Sequence, residues 1–424
     1  MLLMSYLRRL RGDKTIWVLF GILSFFSLIA VYSSSTNLAY TASGGSPASY
    51  LVKHFVHICL GLLSMYWIHR VPYHYWRKLS YLLLPFFGVL LVYTLFKGTQ
   101  ISGANASRWI QIPLVGISFQ TSTFAFVCLM IYVAGYLTKT REEPITLKHS
   151  LLYLWLPVFA TMALILPANF STTAIMFSMV LMLVYIGNYP LKQLFTVLGF
   201  GLILLLLFVL IAKAFPNKLT SRVDTWQSRI EKFVKNDVQE EEQYQVERAK
   251  TAIATGGITG LGPGKSVQRN FLPQSSSDFI YAIVVEEYGL VGAITLIAVY
   301  LLLFVRFLLA AHKARTAFGK LLVIGLGFPI IFQALINMGV AVNLLPVTGQ
   351  PLPLISAGGS SIWAACIALG IILNVTKKDE ELAEEEKESK LREEALQRLI
   401  DKQLEEEKLE SEVNPMQPIL NQSK

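Results

Sequence analysis

The stretch GGITGLGPGKSVQRNFLPQSSSDFIYAIVVEEYG, Gly256 to Gly289, closes the long polar interval of a chain otherwise suited to lipid. Its reading decides the fold, because hydrocarbon tolerates no unpaired backbone polar groups. A glycine-dense segment of this length must fold as a small layer outside the bilayer or line a hydrated cavity. The rest of the 424 residues are 54% hydrophobic and 15% charged overall, with a mean hydropathy of +0.51. Lipid is the preferred solvent for most of the chain.

The expected fold class is all-α, a polytopic integral membrane protein. Spans of roughly 20 apolar residues number about ten: Ile16 to Ser33, Leu51 to Ile68, Leu79 to Phe96, Phe119 to Leu137, Leu151 to Leu166, Thr172 to Ile186, Leu194 to Phe215, Phe279 to Leu309, Leu321 to Leu345 and Ile362 to Leu373. Only Pro167 to Ser171 separates the fifth from the sixth, so those two read either as two spans or as one broken helix. Residues 1–375 form a transmembrane domain whose long extracytoplasmic loop, 216–277, joins helices 7 and 8; residues 376–424 form a charged cytoplasmic tail.

Lysine and arginine in short loops resist translocation, whereas acids matter little. Arg8, Arg9, Arg11 and Lys14, then Arg70, Arg77 and Lys78, then Lys139, Arg141 and Lys148, then Lys192, then Arg306, Lys313, Arg315 and Lys320, and finally Lys377 and Lys378 fall in alternate connections. The opposite set holds Lys53, Lys97 and Arg108 in its short loops. Both termini are therefore expected in the cytoplasm and the long loop outside. The first span follows basic residues as a signal peptide does, but it is long and Ala39 and Ala42 make a poor cleavage site, so it reads as uncleaved. The net charge of +9 is explained by the cytoplasmic loops and needs no nucleic-acid partner. Cys59, Cys128 and Cys366 show no ligand spacing and no disulfide framework. In the tail, Leu391, Ala395 and Leu399, with Leu396, Ile400 and Leu404 alongside, give a helix with a narrow apolar stripe.

Within the long loop, Arg222, Trp226 and Arg229 share one face of a short interfacial helix. YQVERAKTAIATGG is helical in pattern and closes on Gly256 and Gly257. Gly260, Gly262 and Gly264 let backbone approach a ligand closely. TGLGPGKS is not a phosphate loop of the Walker kind, which needs glycine where Thr259 stands and a strand before it. Lys265 and Arg269 suit a lipid-linked diphosphate, or else lipid headgroups. Asp278 reads as a chemical carboxylate or as a plain cap of the next helix. Glu286, eight residues on, lies roughly on the same face, and acids within a span are functional suspects. A second motif, NLLPVTGQPLPLISAGGSSI from Asn343 to Ile362, has prolines that forbid a regular helix and a Gly358 to Ser361 start to the last span, whose amides favour an anion.

These two motifs, in this order on a ten-span frame, resemble the SEDS family of shape, elongation, division and sporulation proteins, whose members include FtsW, RodA and SpoVE. The match runs from Trp17 to Leu373 and is strongest at Tyr244 and Gln245, at AIATGGITGLGPGKSVQRNFLP from Ala252, at DFIYAIVVEEYG from Asp278 and at LPVTGQPLPLISAGGSS from Leu345. RWI, Arg108 to Ile110, is also retained. The overall pattern is more similar to the division member FtsW than to RodA.

The resemblance implies a peptidoglycan glycosyltransferase of the bacterial inner membrane that polymerises lipid II, a substrate on undecaprenyl diphosphate, with a class B penicillin-binding transpeptidase and other divisome proteins as partners. The acid of the family's DFIF segment falls on Asp278, which becomes the catalytic base for the C4 hydroxyl of the acceptor sugar. A base needs that hydroxyl within about 3 Å. Lys265, Arg269, Gln268, Glu286, Arg108, Gly262, Gly264, Ser356, Gly358, Gly359 and Ser360 are the candidate substrate contacts. The departing diphosphate needs neutralising by Lys265, Arg269, the last helix start or a divalent cation such as Mg2+.

Departures from the pattern are specific. The usual QPSE before span four is QTST, Gln120 to Thr123, and Phe126 stands near the usual lysine. Asn169 replaces an aspartate, and Gln274 the glutamate of LPE. A charged pair is missing, which implies a repacked cavity or weakened catalysis. Two other functions compete: a lipid flippase or secondary transporter using Lys53, His54, His57, Gln333 and Asn337, and a non-catalytic scaffold for a transpeptidase.

Overall fold

The computed structural model describes residues 10–41, 47–98, 109–111, 118–141, 146–214, 240–272, 275–377 and 379–413. The expected interfacial helix at Arg222, Trp226 and Arg229, together with Arg108 and Gln274, lies outside the described residues. The chain divides into two compact units, Met1–Thr376 and Lys377–Lys424.

Among the described residues the first unit consists of helices, their connections and one short antiparallel strand pair. Its elements are α1 (Lys14–Thr41), α2 (Pro47–Ile68), α3 (His74–Lys97), β1 (Trp109–Gln111), β2 (Ser118–Gln120), α4 (Thr121–Lys139), α5 (Leu147–Ile165), α6 (Phe170–Ile186), α7 (Leu191–Ala214), α8 (Glu240–Gly256), α9 (Ile280–Lys313), α10 (Ala317–Ala341) and α11 (Gly359–Val375). Among the described residues seven helices are long and apolar enough to cross a membrane, α1 to α5, α9 and α10. Three shorter apolar helices, Phe170–Ile186, Leu191–Ile203 and Gly359–Val375, fall at the other three expected spans. β1 and β2 pair antiparallel, Ile110 opposite Phe119.

Spans five and six are two helices. Asn169 ends the break between them: its side chain accepts from Thr172 N at 3.1 Å and caps α6. α5 carries a π-helical turn at Leu151–Trp155, directly before Pro157, whose missing N–H a regular ladder would leave as a gap. α11 packs on α2, α9 on α10, α3 on α4, and α8 lies along α9. Association between spans in lipid comes from close packing and polar contacts rather than from burial of apolar surface. Gly61 and Gly370 supply such close approaches: a Cβ at Gly61 would sit 2.8 Å from Cys366 Sγ, and one at Gly370 would sit 2.9 Å from Ile68.

One end of the bundle is tied by the start of α1. Asp13 N donates to Thr376 Oγ1 at 2.9 Å, and Arg306 Nε donates to the Asp13 carboxylate at 2.8 Å. The other end carries α8, the glycine loop and the two motifs. In the second unit, α12 (Asp379–Val413) is a charged helix with Leu391, Leu396, Leu399, Ile400 and Leu404 exposed.

Candidate active site

The site is assembled on a fault in α9. Gly289 holds φ +64 and ψ −160, so the helix breaks into two segments there. The freed backbone groups are taken up by the glycine loop that follows α8. Leu261 N and Gly262 N donate to the carbonyls of Glu286 and Glu287 at 3.0 and 2.9 Å, while Leu290 N and Val291 N donate to Gly257 O and Ile258 O. Main chain can lie this close to main chain only without side chains between them. A Cβ at Gly260, where φ is +80, would stand 2.1 Å from Glu287 O, and one at Gly289 would stand 2.3 Å from Ile258 O. The approach for which the sequence pattern reserves these glycines is therefore, at Gly260, an approach to α9.

The two acids on this fault share Ser266 and otherwise have different partners. Glu286 is fully buried, 0% exposed, and its carboxylate accepts from Ser266 Oγ, from Val267 N at 3.1 Å and from Gln268 N at 3.3 Å. This fixes the loop by charge-assisted bonds. Glu287, 1% exposed, accepts from Ser33 Oγ of α1 and from Ser266 N at 3.4 Å. Arg269 Nη1 donates to the same Ser33 hydroxyl at 2.9 Å and to Ser33 O at 3.1 Å. Ser33 thus links the arginine to the acid and anchors the loop on α1.

The Asp278 turn is clamped from the other side by the second motif. Ser356 Oγ donates to Ser277 O at 2.6 Å and accepts from Leu352 N at 2.7 Å; Ala357 N donates to Ser276 O at 2.8 Å. Asn337 Nδ2 of α10 donates to both Asp278 O and Gln350 O at 2.8 Å. The proline-rich loop cannot form a helical ladder, so its carbonyls take donors from neighbouring helices. Gln333 Nε2 bonds Pro351 O at 3.0 Å, Tyr300 OH bonds Pro353 O, and Ser27 Oγ bonds Ile355 O at 2.8 Å while standing 2.6 Å from His54 Nε2. Irregular backbone among spans is viable only with such satisfaction. Gln333 and Asn337, two of the polar residues that a transporter reading would use, here hold this loop, and a third, His54, stands against Ser27.

Asp278 itself is half-buried in the turn that precedes α9, and Phe279 occupies the cap position. The Asp278 carboxylate lies over Gly349, φ +64, where a Cβ would stand 3.6 Å from Oδ2. The backbone on each side is fixed while the side chain remains partly open to solvent.

The remaining candidates divide by position. Lys265 is exposed and runs back over Gly262, and Gly264 faces open space. Gln268 is buried, as is Ser360. Gly359 lies against the His57 ring, where a Cβ would stand 2.6 Å from Cε1, and Gly358 is the cap residue of α11. The framework residues Ser27, Ser33, Tyr300 and Asn337 were not legible as partners of this loop, although polar side chains in apolar helices were the available signal. Among the described residues no group of three or more His, Cys, Asp or Glu side chains gathers, so these residues do not form a protein cage for a divalent cation.

The sequence profile described as cell cycle protein, FtsW/RodA/SpoVE, matches residues 13–381. The chain belongs to the FtsW/RodA/SpoVE family. Among family relatives, a probable peptidoglycan glycosyltransferase FtsW from Nitrosococcus halophilus is 32% identical over 335 residues, 78% of this chain and 84% of that protein. The protein of the same description from Halomonas elongata is 31% identical over 391 residues, 88% and 94% of the two chains. A chain of a solved peptidoglycan synthase complex that coordinates polymerization and crosslinking superposes with a TM-score of 0.67 at 24% identity, covering 86% of this chain and 97% of that one. The crystal structure of the Thermus thermophilus rod shape determining protein RodA gives 0.61 at 22% identity, covering 86% and 96%. These likenesses establish that the FtsW/RodA/SpoVE fold is present over the membrane unit.

Proposed function

We propose that this protein is a peptidoglycan glycosyltransferase that polymerises lipid II at the outer face of the bacterial inner membrane, in septal wall synthesis. The observation that carries the reading is the Asp278 turn, braced by Ser356, Ala357 and Asn337 on its main chain while the carboxylate stays half-buried over Gly349. Preorganised main chain with a partly open acid is what a general base requires. Asp278 accepts the proton of the acceptor C4 hydroxyl as that oxygen bonds C1 of the donor sugar. The bond from C1 to the diphosphate oxygen breaks, and undecaprenyl diphosphate leaves. Lys265, exposed at the loop turn, and the half-buried Arg269 supply positive charge beside the departing group. A divalent cation such as Mg2+, held chiefly by the diphosphate oxygens, would add to that charge.

The sidedness rests on the alternation of basic loops, which puts both termini in the cytoplasm and the Asp278 end outside. The septal role rests on the FtsW name of the relatives, and a class B transpeptidase is the partner by analogy with the solved synthase complex. The test is polymer formation from lipid II by the purified protein in liposomes, with and without its transpeptidase. Absence of polymer in both arms, with the protein folded, would refute the activity.

A further inference from the structure

Gly349, whose backbone lies under the Asp278 carboxylate, is followed by Gln350 and then by Pro351 and Pro353, neither of which has an N–H to donate. A segment so poor in backbone donors must be held by side chains. Gln333, Tyr300 and Ser27 reach into this loop from helices, and Gln350 reaches out of it. Its side-chain Nε2 donates to Thr172 Oγ1 at 3.0 Å, and its main-chain oxygen accepts from Asn337 Nδ2 at 2.8 Å. The same Asn337 nitrogen donates to Asp278 O at 2.8 Å. An amide nitrogen has two hydrogens, so these two carbonyls use both. Turning the amide over would set Asn337 Oδ1 against two carbonyl oxygens, which fixes its orientation. The main chains of Gln350 and Asp278 are thereby held to one another.

The far end of the Gln350 side chain is anchored as well. Thr172 stands in the first turn of α6, where its N–H is taken by the Asn169 side chain at 3.1 Å, and Thr173 Oγ1 donates to Asn169 O at 3.0 Å. A capped helix start is a firm attachment point. Gln350 and Thr172 are each only 8% exposed, so the amide of Gln350 is committed to Thr172 and is not presented to a substrate. What it can do is hold the chain on which the base rests. We propose that Gln350 is a positioning residue for Asp278: through Thr172 it sets Gly349 beneath the carboxylate, and through Asn337 it fixes the main chain that carries the carboxylate. The inference rests on the glycosyltransferase reading and deepens it by naming a residue that governs the geometry of the base. A reacting group misplaced by about 1 Å can cost on the order of 10²-fold in rate, so a single contact of this kind is enough to be read in kcat.

The test uses full-length protein in liposomes with lipid II as substrate. Gln350→Met keeps the length of the side chain and loses the donor; Thr172→Val keeps the shape and loses the acceptor; Thr172→Ser keeps the acceptor. Elution and thermal midpoint report whether each variant is folded. Positioning predicts that kcat falls by roughly 10- to 100-fold in Gln350→Met and in Thr172→Val while KM for lipid II stays within about twofold. Thr172→Ser should restore kcat to within about threefold of wild type, and the double variant Gln350→Met with Thr172→Val should be within about twofold of the slower single one, because both remove the same contact. Wild-type kcat in the folded Gln350→Met and Thr172→Val proteins overturns the proposal. A raised KM with kcat kept also overturns it, since Gln350 would then contact substrate. A second arm needs no activity: hydrogen exchange of the peptide spanning Gly349 to Gly358, in which the amides of Leu352, Ser356 and Ala357 are bonded. Its exchange should be roughly two- to tenfold faster in Thr172→Val than in Thr172→Ser, the range of one neutral hydrogen bond. If the wild type makes no polymer, the glycosyltransferase reading falls and this arm decides the positioning: faster exchange in Thr172→Val supports it, and equal exchange overturns it.

Discussion

Replacing Glu286 by leucine removes the acceptor on which the glycine loop is folded. Oε1 accepts from Val267 N at 3.1 Å and Gln268 N at 3.3 Å, and Oε2 accepts from the Ser266 hydroxyl and shares Gln268 N. Val267 is exposed and its N–H can turn to water, but Ser266 and Gln268 are buried. Two buried polar groups left without an acceptor cost about 1–3 kcal/mol each, so the loop loses about 2–6 kcal/mol against local opening. Each 1.4 kcal/mol is tenfold, so amide exchange should accelerate by roughly thirtyfold at the low end and by about four orders of magnitude at the high end. Glu286→Gln keeps one oxygen and turns the other position into a donor, which the Ser266 hydroxyl can rotate to accept. The loss is then about 1 kcal/mol and exchange rises by less than about tenfold. Hydrogen exchange read by mass spectrometry, on the peptide spanning Leu261 to Leu272 with an α10 peptide as control, separates the three proteins. A leucine variant whose loop peptide exchanges within twofold of wild type would show that Glu286 does not organise the loop.

Gly260→Ala places a Cβ 2.1 Å from Glu287 O at φ +80; left-handed strain of about 1–2 kcal/mol plus overpacking of about 1–3 kcal/mol should dislodge the loop, lower the thermal midpoint and abolish polymerisation. Retained polymerisation at wild-type rate would contradict the close packing of the two backbones. Asn337→Leu strips a donor from Asp278 O and Gln350 O and should cost about 2–5 kcal/mol and lower kcat; thermal unfolding and steady-state rates check it, and wild-type values in both would remove Asn337 from the support of the site. Asp13→Asn, at the opposite end, weakens a half-exposed pair with Arg306, so the thermal midpoint should shift by no more than about 1 kcal/mol would produce, with polymerisation kept; loss of polymer would mean the two ends are coupled.

The spans were legible in the sequence because lipid imposes a length and a composition that few other folds share, and the split between spans five and six is visible once Asn169 is seen as a cap. The helix ending at Gly256 was legible for the same local reason, a glycine closing a helical pattern. What the loop glycines face was not. Gly260 and Gly289 lie 29 residues apart in the sequence, and only their three-dimensional apposition shows that each serves a backbone contact with the other's segment. Glu286 carried a signal of function that turned out to have a second physical cause, since a buried acid beside a folded loop of amides is satisfied without substrate. The donors to the proline-rich loop were hidden differently: Gln333 and Asn337 are polar residues in an apolar helix, and nothing local distinguishes a residue that binds cargo from one that satisfies a carbonyl. Asp278 stood out in the sequence as a candidate for chemistry, while its placement over Gly349 depended on a motif about seventy residues away that no local reading connects to it.

The most direct measurement compares wild type and Asp278→Asn in reconstituted lipid II polymerisation with the transpeptidase present. Loss of a general base predicts a fall of about 10²- to 10⁴-fold in kcat, with the thermal midpoint and lipid II binding kept. Polymer made by the folded Asp278→Asn protein at the wild-type rate would contradict the account.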